Sequence, residues 1–175
     1  MEDKTMKVGL FKNYTGSSVM AIGDKYVCAT VDGPLDSNAR DDDFESLNID
    51  ARCKVFSSSK SFENLCNTLI SKILNKYIVK DSLMFKTIQI SMYSNVTDLY
   101  LICNTVTAAC LDAGIPLCDM IYCVGSQPMF VFRNDVIDFY HSNGAVTDAQ
   151  IQEAKDKKIT IENDMKKAFR NVFTI

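Results

Sequence analysis

Residues 98–124 read DLYLICNTVTAACLDAGIPLCDMIYCV. In the first half, Leu99, Ile102, Cys103, Val106, Ala109, Cys110 and Ala113 recur at helical spacing, and Leu101 and Ala108 fill part of the opposite side. A helix with so little polar face is a buried one. Ala108 and Ala109 are small enough to let another element approach closely. Gly114 supplies the left-handed position that ends the helix, and Pro116 forbids its continuation. Met120 to Val124 is short and apolar and reads as a strand buried beside that helix. The expected centre of the fold is therefore a helix, a tight Gly-Ile-Pro corner and a returning strand.

On the N-terminal side, Lys7 to Lys12, Ser17 to Ile22 and Tyr26 to Val31 read as strands, with Gly23-Asp24 closing a hairpin and Gly33-Pro34 ending the third strand. Asp36 to Glu45, DSNARDDDFE, reads as an acidic surface connection. Leu47 to Val55 alternates apolar and polar, the mark of a strand with one face on the core. Phe62, Leu65, Cys66, Leu69, Ile70, Ile73, Leu74, Tyr77 and Ile78 share one helical face, with Ser61 placed to cap that helix. Phe85 to Tyr93 is a further strand leading into the central helix.

On the C-terminal side, Pro128 to Arg133 and Val136 to His141 read as strands around an Asn134-Asp135 turn. Thr147 and Gln150 match a capping box opening a long last helix. Its stripe is Ile151, Ala154, Ile161, Met165, Ala168, Phe169 and Val172, and Lys158 interrupts it, which predicts a surface-near middle. Hairpins followed by helix, strand, helix and strands give an α+β class: a mixed sheet with helices packed on it.

The length of 175 residues with 47% hydrophobic content fits one domain spanning residues 1–175. No run approaches a membrane span and MEDKTMK has no signal-peptide core, so a soluble intracellular chain is expected. The seven cysteines are odd in number and mostly apolar in setting, which argues against a secreted disulfide scaffold. A net charge of −3 argues against strong autonomous grip on nucleic acid.

Chemistry-bearing patterns are sparse. No glycine-rich phosphate loop occurs, no pair of cysteines has zinc spacing, and His141 is the single histidine. Asp41-Asp42-Asp43 reads as a solvated charge run rather than a cation site. No metal or cofactor is therefore expected; a Cys-His nucleophilic pair using His141 is possible in principle, but nothing favours any one cysteine as its thiol, and no catalytic residue is singled out.

Asn104 to Leu117, NTVTAACLDAGIPL, resembles the central helix and corner of the RNase PH family. The opening strands, Thr15-Gly16-Ser17, the Gly33-Pro34-Leu35-Asp36 segment with Arg40, the alternating strand, the Phe62 helix and the last helix follow the family's order. The resemblance implies a two-layer RNase PH-like fold of the ribosomal protein S5 domain 2-like type. Active members use inorganic phosphate to cleave the last bond of RNA. That chemistry needs a cationic phosphate cradle and carboxylates.

Where the family carries its G-T-R or G-S-R cradle, this chain has Thr97, Asp98 and Leu99. Leucine cannot hydrogen-bond an anion, and a carboxylate repels one. The family's spaced carboxylate pair is replaced by a short Gly125-Ser126-Gln127-Pro128 turn, and its basic RNA loop by DSNARDDDFE.

The resemblance therefore implies an inactive copy: a structural member of the RNA exosome's hexameric ring, supporting 3′-to-5′ RNA processing and decay. The alternative is an active phosphate-dependent exoribonuclease. The implied partners are other RNase PH-like ring subunits, RNA-binding cap subunits and single-stranded RNA in the pore, in nucleus and cytoplasm. Arg40, Arg52, Lys54 and Arg133 are the candidate RNA contacts.

Overall fold

A computed structural model describes residues 4–36, 47–56 and 58–173. Strands β1 (Lys4–Val8), β2 (Gly16–Ile22), β3 (Lys25–Asp36), β4 (Asn48–Val55) and β5 (Lys86–Ser94) form a five-stranded sheet in the order β1-β2-β3-β5-β4. Neighbours are antiparallel except β4 and β5, which run parallel because α1 (Lys60–Tyr77) crosses between them. The sheet is mixed, as its alternating and hairpin segments predict.

Helix α2 (Leu99–Asp112) lies against β2 and β3, and its other side meets a second sheet of β6 (Ile121–Val124), β7 (Met129–Arg133) and β8 (Val136–His141). This explains a helix apolar nearly all round. Every residue from Leu101 to Cys110 is buried, with sheet on both sides. Its end is a Schellman motif: Ile115 N–H donates to Cys110 O at 3.0 Å and Gly114 N–H to Leu111 O at 3.0 Å, with Gly114 at φ +69°. The corner then docks on the end of α1, where Cys118 N–H donates to Tyr77 O at 2.8 Å.

Close approach of β2 to α2 depends on Gly16. A Cβ there would stand 2.3 Å from Ala109 O and 2.4 Å from Ala113 N. The contact is pinned by Ser18 Oγ donating to Thr105 O at 2.5 Å and Ser17 N–H donating to Asp112 Oδ2 at 2.8 Å.

Several boundaries differ from the sequence expectation. The first strand ends at Val8, and Leu10 and Phe11 stand exposed in the loop that follows. β3 continues through Gly33-Pro34 to Asp36, because an irregularity between Asp32 and Leu35 absorbs the proline without breaking the pairing with β5. The cap of α1 is Ser59, whose Oγ accepts from Phe62 N–H at 3.3 Å, not Ser61, which lies inside the helix. α3 (Asp148–Phe173) opens on the expected capping box: Gln150 Oε1 accepts from Thr147 N–H at 3.0 Å and Thr147 Oγ1 from Gln150 N–H at 3.4 Å.

Lys158 is a correction. Only 6% exposed, it continues the apolar stripe rather than marking a surface. Its stem packs inward and its ammonium sits 5.1 Å over the Tyr122 ring. Glu162 at 2.5 Å and Asp135 at 3.0 Å neutralise that ammonium. The acidic connection with Arg40 and Asp41-Asp42-Asp43 lies outside the described residues, as does the side chain of Val172.

Candidate functional site

The N-terminal end of α2 is where the resemblance places the family's phosphate cradle. β5 leads into it through a tight turn in which Ser94 Oγ donates to Val96 O at 2.7 Å and accepts from Val96 N–H at 3.0 Å. Asn95 fastens the β2–β3 hairpin beside this turn, accepting from Tyr26 N–H and donating to Asp24 O, each at 2.7 Å. Asp98 then takes the cap position. Its backbone oxygen accepts from Leu101 and Ile102 N–H at 3.1 and 3.2 Å.

The Asp98 side chain makes no capping bond to the helix. Instead Oδ1 accepts from Ser126 Oγ at 2.8 Å, and Oδ2 pairs with Lys25 Nζ at 3.3 Å. Ser126 belongs to the short turn between β6 and β7, so this carboxylate ties three separate segments together. Leu99 points into the core, 3% exposed, and offers nothing to a ligand.

Beside Asp98 a crevice opens between α3, the β6–β7 turn and the start of α2. It comprises two adjoining cavities of about 380 and 350 Å³ that share Gly125, Ser126 and Lys157. The lysines of this region are matched by carboxylates: Lys4 with Asp164 at 2.7 Å, Lys157 with Glu153 at 2.6 Å, and Lys25 with Asp98. An anion entering here would compete with those carboxylates for the lysines. The Ser126 hydroxyl donates straight to a carboxylate, and no imidazole stands between them to accept its proton during attack. Among the described residues, no group of three or more His, Cys, Asp or Glu is placed to hold a metal ion.

Sequence reasoning identified Asp98, Leu99 and the turn that holds Ser126 but missed Lys25, Lys4 and Lys157 around them. No local signal marks these three; the fold alone assembles them, Lys25 lying 73 positions from Asp98.

The candidate RNA contacts do not converge. Arg52 and Lys54 lie two residues apart on the outward face of β4, and Arg133 lies on the other sheet. Arg52 binds Asp50 through Nε at 3.2 Å and Nη2 at 2.7 Å, which holds its guanidinium pKa above the usual range. Lys54 pairs with Glu63 at 3.2 Å; Glu63 is held below the usual carboxylate range first by the Val55 N–H it accepts, then by Lys54. Arg133 binds Asp119 at 2.6 Å and is likewise raised. Arg40 lies outside the described residues.

A parallel-crossover sheet, a buried helix closed by a Gly-Ile-Pro corner, and a second sheet behind it define an RNase PH-type domain. Residues 2–116 match the family model described as 3′ exoribonuclease family, domain 1, and the chain belongs to that family. Among solved structures it is similar to rice (Oryza sativa) Rrp46. The TM-score is 0.76 at 17% identity, over 98% of this chain and 95% of that one. No curated protein matches the sequence directly.

Proposed function

We propose that this chain is a non-catalytic structural subunit of the RNA exosome ring, of the ribosomal RNA-processing protein 46 type. It sits among other RNase PH-like chains beneath RNA-binding caps, in nucleus and cytoplasm, and supports 3′-to-5′ processing and decay, ribosomal RNA included, by helping to form the barrel that leads RNA to a separate nuclease. Family membership and the likeness in fold to rice Rrp46 support the ring reading. The observation that carries inactivity is Asp98. A fixed negative charge occupies the start of α2, held by Ser126 and Lys25, with the buried Leu99 beside it. Phosphorolysis needs an inorganic phosphate bound among cations, and electrostatic stabilisation of that kind is usually the largest contribution to such catalysis.

Native purification tests the first half: the chain is expected to travel with other RNase PH-like chains, and a well-behaved monomer without such companions would count against the ring. Incubation with short RNA, phosphate and magnesium tests the second half. No nucleoside diphosphate should appear, and its release would overturn the reading.

A further inference from the structure

Helix α1 and edge strand β4 meet at a seam built from side chains, since β4 spends its ladder bonds on β5. Glu63, Cys66 and Asn67 share one face of α1 at helical spacing. Asn67 Oδ1 accepts from Cys53 N–H at 2.7 Å, and Glu63 Oε1 accepts from Val55 N–H at 3.2 Å. These two bonds hold β4 against α1 on either side of Cys66. The Cys53 side chain is buried in the same seam, and the Cys66 thiol donates to Cys53 Sγ. Both are free thiols. A second thiol contact, Cys103 with Cys123, lies deeper, between α2 and β6.

We infer that Cys53 and Cys66 form an oxidisable dithiol, a modification site whose disulfide staples edge strand β4 to α1, with a low-molecular-weight disulfide as the oxidant. The Cys53 sulfur attacks one sulfur of that reagent. The reagent's S–S bond breaks, Cys53 becomes a mixed disulfide, and one small thiol leaves with the proton Cys53 gave up. Cys66 then releases its proton and attacks the Cys53 sulfur, expelling the second small thiol. Two protein thiols are oxidised to one disulfide, and one small disulfide is reduced to two thiols. The order of events follows from the seam. Cys53 is 7% exposed and stands on a strand paired along one side only, where local opening costs less than in the core. The bond from Cys66 outweighs burial and the Glu63 carboxylate and holds the Cys53 thiol below its ordinary pKa, which suits an attacking sulfur. Cys66 is held above it by donating that bond and by burial, so it keeps its proton until Cys53 has reacted. Cys103 and Cys123 make the same kind of contact but lie on a buried helix and a fully buried strand. A pair that closes and reopens in this way is a redox-responsive device rather than a permanent cross-link. The inference is independent of the ring reading, because it is read on peptides of this chain.

The test is incubation of the full chain, with any companions it purifies with, at graded ratios of reduced to oxidised glutathione. Free thiols are blocked with N-ethylmaleimide, and the chain is digested without reduction and mapped by mass spectrometry. The expected product is lighter by two hydrogen atoms, joins the Cys53 and Cys66 peptides, and reopens with dithiothreitol. Hydrogen exchange in β4 should slow, and the thermal midpoint should rise by about 5–10 °C. Cys66→Ser, or Cys66→Ala, should arrest the reaction with glutathione on Cys53. If neither variant folds, the parent's peptide map decides. The more accessible Cys28 and Cys118 report that the reagent has acted. Glutathione on those two with Cys53 and Cys66 still unlinked overturns the proposal. So does a Cys103–Cys123 bridge that forms first, or an oxidised chain whose β4 amides exchange faster, since oxidation would then be damage rather than a staple.

Discussion

Asn104 shows how much one side chain can decide. It sits in the middle of α2, fully buried, where an amide is costly unless its bonds are made. Its Nδ2 donates to Cys123 O at 2.7 Å and its Oδ1 accepts from Cys123 N–H at 2.8 Å. β6 pairs with β7 along one side only, so Asn104 acts as the missing neighbour for the other side. The asparagine that marks the family in the sequence is thus a strand clamp. Thr105 and Thr107 settle their buried hydroxyls locally, donating to Leu101 O at 2.7 Å and Cys103 O at 3.0 Å. Asn104→Ala leaves a buried N–H and C=O unpaired and should destabilise the chain by about 2–4 kcal/mol. Asn104→Asp should be no better, since it places a carboxylate oxygen against the Cys123 carbonyl. Urea unfolding measures both, and a loss below about 0.5 kcal/mol for the alanine variant would mean water replaces the clamp.

Elements were legible where period and punctuation agreed, and illegible where a side chain has two characters. α2 and its corner followed from apolar content, Gly114 and Pro116, and α3's start from Thr147 and Gln150. The first strand was misplaced because Leu10 and Phe11 look like core residues yet stand in solvent, and no local rule distinguishes the two fates. The cap of α1 was displaced because a run of serines offers several acceptors at nearly the same place. The crevice lysines were beyond reach, since they meet only in three dimensions. Lys158 illustrates the point on α3. Its charge suggests surface while its stem behaves as core. Burial opposes its ammonium, but bonds to Glu162 and Asp135 outweigh that and hold its pKa above the usual value. Lys158→Ala removes the stem and should cost about 2 kcal/mol by thermal or urea unfolding. Lys158→Met keeps the stem, leaves Glu162 paired with Lys166 at 2.6 Å, and should stay within about 1 kcal/mol of the parent. Equal losses in the two variants would show that charge, not packing, governs the position.

Across the whole molecule, carboxylates fasten elements to one another, and this sets how stability responds to pH. Glu63 joins α1 to β4, and Asp138 of β8 reaches Lys76 at 2.7 Å and the Tyr77 hydroxyl on α1. Asp119 binds Arg133 and Asn134, and Glu162 binds Lys158 and Lys166 within α3. All four titrate below the ordinary values of 3.8 and 4.5, chiefly because hydrogen bonds favour the charged form. A depressed native pKa means the unfolded chain takes up protons first on acidification. The stabilisation is present above the unfolded values and is lost as pH falls through the native ones. At the alkaline end the sign reverses for buried thiols. Burial pushes Cys28 and Cys110 above 9.0, so the unfolded chain releases those protons first and stability falls as pH climbs past that value. Between these limits the sequence holds a single histidine. The expected profile of urea midpoint against pH is therefore a plateau from about pH 5 to 8, with a fall on each side. The acid limb should become shallower in Asp138→Asn, which deletes the carboxylate shared by Lys76 and Tyr77 and so lowers the plateau while removing one of the groups whose protonation makes the fall. A profile sloping steadily between pH 5 and 8, or an acid limb indifferent to Asp138, would assign the fastening to apolar packing instead.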